Sequence, residues 1–346
     1  MTRKYRYIII LVLLVIAVSA CRHKDSDDDN SSQSNPLTPD TTLTQDTTST
    51  PDIPTDTTGT TPGDHDSSNV QGPVFDENGA SYALFSVSAT QKVKFSSGNL
   101  QYKASSNLWR FAEHQYDCVG TDNSSISSTT STWIDLFGWG TSGWPESGAT
   151  YYQPYDYVST NQSLGEDYYS QYGPTGSYSL TDEYELADWG RYNAISNGGN
   201  SAGQWRTLSM TEWSYLFFER QGAANLYATA TICGEYKGVI LLPDDWSLPN
   251  GITFTAGQGN AWNTNNFTSE QWDKMERAGA IFLPSAGFRQ EKTIYNVNTH
   301  GFYFSSTYYN DGNAYFLNFT ETAIYTIGFN KRSYGHSVRL VKDVEQ

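Results

Sequence analysis

Few residues in this chain of 346 belong to the types that hold transition metals or act as nucleophiles. There are three cysteines and five histidines, and two of the histidines, His23 and His65, fall in a polar stretch near the N-terminus. The spacings Cys-x-x-Cys, His-Glu-x-x-His and Gly-x-Ser-x-Gly do not occur. These spacings mark zinc sites, metalloproteases and serine hydrolases. We therefore expect no catalytic residues and no enzyme activity.

Basic residues are also scarce, with 21 Lys and Arg against 37 Asp and Glu, for a net charge of −16. Residues 22–77 carry twelve of the acidic side chains and only two basic ones, which is −10 of that total. The remainder of the chain is therefore only mildly acidic. Without a basic stripe there is nothing to release counterions from a phosphate backbone, so we expect no nucleic-acid partner.

The N-terminus has the pattern of an export signal. Basic residues precede an apolar run over 8–18, which is too short to span a bilayer, and the run ends in Val18-Ser19-Ala20-Cys21. This ending resembles the bacterial lipobox, as opposed to an ordinary secretory signal with an incidental cysteine. The resemblance implies that residues 1–21 are a lipoprotein signal peptide. It also implies that Cys21 receives fatty acyl chains such as palmitate, which anchor the protein to a membrane.

An acidic cluster, Asp25 to Asp29, follows Cys21. It resembles the surface-export signal of Bacteroidetes lipoproteins, which implies an outer-membrane protein that faces the medium. The alternative is a solvated charge run. Residues 22–73 are dominated by Ser, Thr, Asp and Pro and cannot bury enough apolar surface to fold, so they predict a disordered stalk. Three Asp-Thr-Thr triplets there resemble O-glycan acceptor sites of Bacteroidetes, which implicates Thr41, Thr47 and Thr57.

Residues 74–346 predict one globular domain of the α+β class. Alternation over 92–102 around Ser96–Asn99 predicts a β-hairpin. Capping boxes at Ser209 and Thr268 predict two helices. Short strand-like runs occupy much of the remainder. Cys118 and Cys233 lie in strand-like stretches, where they are either disulfide partners or buried free thiols.

Two segments then carry a resemblance that covers roughly residues 80–342. Gln204–Trp213 is similar to a helix start of formylglycine-generating-enzyme-like domains. Gly335–Val341, with the segments after Gly287, is similar to the end of the Fibrobacter major-paralogous-domain family. Both families imply a C-type-lectin-like fold with short twisted antiparallel strands, two helices and long loops. Formylglycine-generating enzymes carry out their oxidation with cysteines near the end of the domain. No cysteine follows Cys233 here, so that activity is excluded.

The calcium motifs of sugar-binding C-type lectins are not matched. Gln153-Pro154-Tyr155 and Trp262-Asn263-Thr264 each lack a carboxylate of those motifs. We therefore expect no cofactor, although a structural calcium among loop oxygens remains open.

The C-type-lectin-like fold implies ligand contacts from the loops that precede the last strands. These loops are 308–313 and 328–334, and they combine Tyr, Asn, Ser and Gly, the composition of adaptable recognition loops. Solvated turns between strands are the alternative. The candidate ligand-binding residues are Tyr308, Tyr309, Asn310, Asp311, Asn313, Asn330, Arg332 and Tyr334.

The function that we expect is adhesin-like: non-covalent binding of an extracellular protein or glycan. One alternative is an accessory subunit of a surface glycan-capture or fimbria-like assembly. The other is a degenerate enzyme-like domain with hydrolytic activity, which requires a cleft with paired carboxylates. Asp244-Asp245 is an adjacent acidic pair in the folded part, and the preceding Pro243 makes a turn its simpler explanation.

Overall fold

The structure is a computed structural model and describes residues 74–145, 153–157, 179–310 and 312–344. Within these ranges it has short strands, three short α-helices, a π-helical turn at Tyr215–Glu219 and several 3-10 turns, so the predicted α+β class is confirmed. None of the helices in these ranges is both long and apolar enough to cross a membrane. The helices are α1 Trp189–Tyr192, α2 Met210–Ser214 and α3 Ser269–Arg277. The strands are β1 Phe85–Ser86, β2 Lys92–Phe95, β3 Leu100–Lys103, β4 Leu108–Phe111, β5 Arg206–Thr207, β6 Tyr227–Ile232, β7 Tyr236–Leu241, β8 Asn266–Phe267, β9 Ile281–Pro284, β10 Phe288–Gln290, β11 Thr293–Tyr295, β12 Gly301–Asn310, β13 Asn313–Phe319, β14 Ile324–Lys331 and β15 Leu340–Asp343.

The strands form small sheets that are antiparallel except for the pair β6–β8. One four-stranded sheet has the order β1-β2-β15-β5, so strands from the two ends of the described chain pair with each other. A second has the order β8-β6-β7-β9, and β12-β13-β14 is a three-stranded meander. The pairs β3–β4 and β10–β11 complete the set within the described ranges.

Both predicted helices begin at their capping boxes. Ser209 accepts a hydrogen bond from the Glu212 N–H, and the Glu212 side chain accepts one from the Ser209 N–H. Thr268 and Gln271 form the same reciprocal pair before α3. Each box satisfies N–H groups that the first helical turn leaves unpaired. Trp213 and Trp272 follow the boxes and are buried, which fixes each helix against the core.

The predicted hairpin over 92–102 is wrong. β2 and β3 are both strands, but they do not pair with each other, because the C-terminal segment lies between their ends. The Ser96 N–H donates to the Leu340 carbonyl and the Leu100 N–H to the Val338 carbonyl. β2 therefore pairs with β15, and β3 with β4. The alternation identified the strands correctly but could not show a partner more than 200 residues away in the chain.

Three clusters of apolar side chains form the core. The first surrounds Trp109, Trp189 and Trp205, and the second surrounds Phe95, Trp213 and Phe319. The third joins α3 to the β6–β7–β9 sheet. The first half of the meander lies between two of these clusters, since Phe304 faces the first and Tyr303 faces the second. In the second half of the meander the first cluster still covers one face, through Ala314 and Tyr308.

His336 is fully buried among phenylalanine rings, with its ring centre 4.4 Å from that of Phe304 and 5.0 Å from that of Phe316. Neither ring nitrogen has a hydrogen-bond partner in the described part of the chain. Burial, with a smaller contribution from Arg289, lowers the pKa of His336 to about 3. The imidazole is therefore neutral in the folded protein at every pH at which the protein is expected to work.

This burial predicts a loss of stability in acid. Below pH 6.5 the unfolded chain binds a proton at His336 that the folded chain rejects, so stability falls as the pH drops toward 3. Between pH 6.5 and 4, His336 should lower the free energy of unfolding of the native protein by up to about 3 kcal/mol. We expect His336→Leu to lack this loss. The measurement is urea unfolding at several pH values. The control is His114→Gln at a half-exposed histidine; equal pH slopes in His336→Leu and the native protein would contradict the prediction.

Candidate functional site

The two predicted recognition loops meet at one end of the meander. The first is mostly strand, because Tyr308–Asn310 belong to β12 and Asn313 begins β13, with Asn310 opposite Asn313 across the turn. The second is mostly not a loop, because β14 continues to Lys331 and pairs along β13, with Ala314 opposite Asn330. The Gly, Asn and Lys residues at 328–331 have low strand propensity, which made this segment resemble a loop in the sequence. Asp311 lies outside the described residues.

Two of the predicted contact residues serve the interior of this end. The Arg332 side chain is buried, and its guanidinium donates to the Asn310 carbonyl at 2.8 Å and to the Asn313 carbonyl at 3.3 Å. The guanidinium also lies 4.7 Å from the ring centres of Trp139 and Tyr308. Arg332 and Tyr308 therefore hold the β12–β13 turn in place and offer little surface to a ligand.

The exposed face of this end carries an aromatic patch, which we define as Tyr309, Tyr315, Ile327 and Phe329. The rings of Tyr309 and Phe329 stack at 4.0 Å between centres and 10° between planes, and Tyr315 meets Tyr309 edge to face at 5.0 Å. Phe329 is 51% exposed and Ile327 is 65% exposed. Exposed apolar side chains on adjacent strands, with three rings in contact, mark an interaction surface more strongly than isolated exposed side chains do.

Amide side chains lie at the turn beside the patch. Asn310 and Asn313 hydrogen-bond to each other at 2.7 Å, which orients both amides. Asn330 pairs with Ala314 and so lies on the opposite face of the sheet from Phe329. Aromatic surface combined with amide donors and acceptors is the chemistry of recognition loops that bind varied ligands.

Tyr334 belongs to a separate stack. Its ring lies 5.7 Å from that of Phe288, which in turn stacks on Tyr295 at 5.2 Å. Burial raises the pKa of Tyr334, so its hydroxyl stays protonated. The seven predicted residues that the structure describes thus divide among the exposed face and turn at this end, an internal brace and this second stack.

A groove of about 740 Å³ lies beside α2. Its floor includes Asp188, Arg206 and Thr207, and its sides include Asp182 and Glu185 from one segment and Glu219 from another. No sequence pattern predicts this groove, because its residues come from four separated segments of the chain.

The arginines of the groove are engaged within the protein. Arg206 makes a two-pronged contact with Glu212, at 2.7 Å and 2.9 Å, and also donates to Asp343 at 2.7 Å. Arg191 lies 3.8 Å from the same Asp343 carboxylate. Charged groups held in this way fix β5 to β15 and to α2, and they leave little cationic surface in the groove.

Two buried carboxylates have unusual acidity. Burial raises the pKa of Asp188 to about 6, despite hydrogen bonds from the Thr207 and Gly190 N–H groups. Burial also raises the pKa of Asp135 to about 6, despite bonds from Val119 and Asn123. Asp188 lines the groove and Asp135 does not. The groove therefore holds one of the two carboxylates whose pKa is raised, together with Asp182, Glu185, Glu212 and Glu219.

Asp244 has a structural environment. Its carboxylate accepts bonds from Ser86 and contacts Lys92 at 3.0 Å and Arg220 at 3.2 Å. Burial alone would raise the pKa of Asp244, but these partners hold it below its usual range.

Cys118 and Cys233 are free and half-buried, so of the two alternatives the structure has the unpaired thiols. In the part of the chain that the structure describes, no three His, Cys, Asp or Glu side chains are grouped to hold a metal.

Cys21, Thr41, Thr47 and Thr57 lie outside the described residues.

Comparison of the chain with models of protein families, with curated proteins and with solved structures found no match. The geometry above is therefore the basis for a functional proposal.

The internal role of Arg332 generates a prediction. Arg332→Ala removes the bonds to two backbone carbonyls and the packing on Trp139, so we expect a loss of about 3 kcal/mol in the free energy of unfolding. Arg332→Lys should recover only part of this, because an ammonium lacks the planar fork. Lys331→Ala, at the exposed neighbour, should change stability by less than about 0.5 kcal/mol. Urea unfolding measures all three, and equal effects at 331 and 332 would refute the role.

Proposed function

We propose that this protein is a surface-anchored lipoprotein of the outer membrane whose globular domain, residues 74–346, binds an extracellular protein or glycan without covalent chemistry. The observation that carries the proposal is the aromatic patch on the exposed end of the meander. Patches of this kind are costly to leave in water, and a ligand that covers them gains the burial of several aromatic side chains. The lipobox-like sequence at Cys21 and the Ser/Thr-rich stretch after it supply the anchor and the tether.

A C-type-lectin-like fold is part of the same proposal. It is supported by the pairing of β2 with β15 and by the small antiparallel sheets. The Gln204–Trp213 segment adds support, because its residues have distinct structural roles. Arg206 pairs with Glu212, Ser209 caps α2 and Trp213 enters the core.

Binding through the patch requires little rearrangement. Arg332 fixes the turn, and the stacked rings of Tyr309 and Phe329 have few rotamers to lose. A preorganised surface loses less entropy when it binds, so more of the contact energy appears as affinity. An accessory subunit of a surface assembly would use the same patch toward a neighbouring subunit, and proteins that co-purify with it would identify that role.

Substitutions in the patch test the proposal directly. We expect Tyr309→Ala and Phe329→Ala in the full-length protein to weaken binding on glycan and extracellular-protein arrays at least about tenfold, as central aromatic contacts do. The matched control is Tyr325→Ala. Tyr325 is also on β14 and 56% exposed, but it pairs with Asn318 and so lies on the opposite face of the sheet from Phe329, which pairs with Tyr315. Equal losses at 325 and 329 would exclude the patch.

The anchor has its own test. Cells given an alkyne-bearing fatty acid should label the native protein, and Cys21→Ser should abolish the label and release the protein from the membrane fraction, because no acyl chain then holds it. Label retained in Cys21→Ser would contradict the anchor and leave the ligand-binding proposal to stand on the patch alone.

A further inference from the structure

The groove and the strands that carry the aromatic patch both adjoin α2. The Met210 N–H donates to Thr307 Oγ1 at 2.9 Å, and Ser214 Oγ lies 2.8 Å from Thr326 Oγ1. Met210 and Ser214 both line the groove. Thr307 is two residues before Tyr309, and Thr326 is adjacent to Ile327. α2 therefore adjoins the groove and is bonded to two of the strands that carry the patch.

The charge of the groove is unbalanced. Its two arginines are held by Glu212 and Asp343. Asp182, Glu185 and Glu219 are exposed, and among the described residues none of the three has an ion-pair partner. Two cations are thus neutralised internally, and three carboxylates remain to face a ligand. Carboxylates that line a concave surface concentrate the field that attracts a cationic group.

We infer that the groove and the patch together bind an extended polypeptide segment in which a group of basic side chains is followed along the chain by aromatic or aliphatic ones. This inference rests on the proposed function and names the chemical class of its ligand. The basic side chains would enter the groove toward Asp182, Glu185 and Glu219, and the apolar side chains would cover Phe329 and Ile327. The same carboxylates repel anionic glycans. A neutral glycan gains no electrostatic attraction from them.

The test uses the full-length protein and defined probes. The main probe is a fluorescent peptide in which a group of lysines is separated from the phenylalanines that follow it by glycine and serine. Two matched peptides replace every lysine with glutamate or every phenylalanine with serine, and maltohexaose is the neutral glycan. Fluorescence anisotropy measures the peptides, and calorimetry measures the sugar.

We expect the lysine–phenylalanine peptide to bind more tightly than either matched peptide. The double variant Glu185→Gln/Glu219→Gln should weaken it about five- to tenfold at low salt, and salt near 0.5 M should remove most of that difference. Phe329→Ala should also weaken it. The control, Glu235→Gln, changes an exposed glutamate in the β6–β7 turn outside the groove and should have no effect.

The outcomes separate the two proposals. If maltohexaose binds and Phe329→Ala abolishes it, while no peptide binds, the polypeptide inference is overturned and the proposed function stands. If the peptide binds but the double variant binds it as tightly as the native protein, the groove has no role and the inference also fails. If neither probe binds and the arrays are also negative, both proposals fail. Circular dichroism of each variant confirms that loss of binding is not loss of folding.

Discussion

The buried guanidinium of Arg332 is the contact on which the outer end of the meander depends. Only one face of that end is covered by an apolar cluster, through Ala314 and Tyr308. Bonds from Arg332 to the Asn310 and Asn313 carbonyls, and its position against Trp139 and Tyr308, hold the turn to that covered face. Without this brace the β12–β13 turn would be free to move, and the stacked rings of Tyr309 and Phe329 would lose their fixed spacing.

The meander joins two environments in one sheet. Its first half is covered on both faces, where Phe304 and Tyr303 enter different clusters. Its second half is covered on one face, and the other face is open to solvent at Phe329 and Ile327. The protein thus exposes apolar side chains on a strand whose other end is anchored in the core. Rigid support beneath an exposed apolar surface is what non-covalent recognition needs.

The sequence predicted local features well and distant pairings poorly. The capping boxes at Ser209 and Thr268 found both helix starts, because the signal lies within four residues. The hairpin over 92–102 failed, because the partner of β2 is β15. For the site, Tyr309 and Asn310 are exposed at the predicted turn, but Arg332 is internal. A charged residue reads as exposed unless its buried partners, here backbone carbonyls and aromatic rings, are known. Ile327 and the groove were missed because their significance depends on the folded arrangement.

The central claim is that the aromatic patch touches the ligand on the living cell. The most direct measurement replaces Ile327 with a photoreactive phenylalanine analogue in the surface-displayed protein and irradiates intact cells with their extracellular surroundings. A second strain carries the analogue at Tyr82, which is similarly exposed and lies outside the patch and the groove. The account predicts a discrete crosslinked product at position 327 and none at position 82. Equal products at both positions, or a product at position 82 alone, would contradict it.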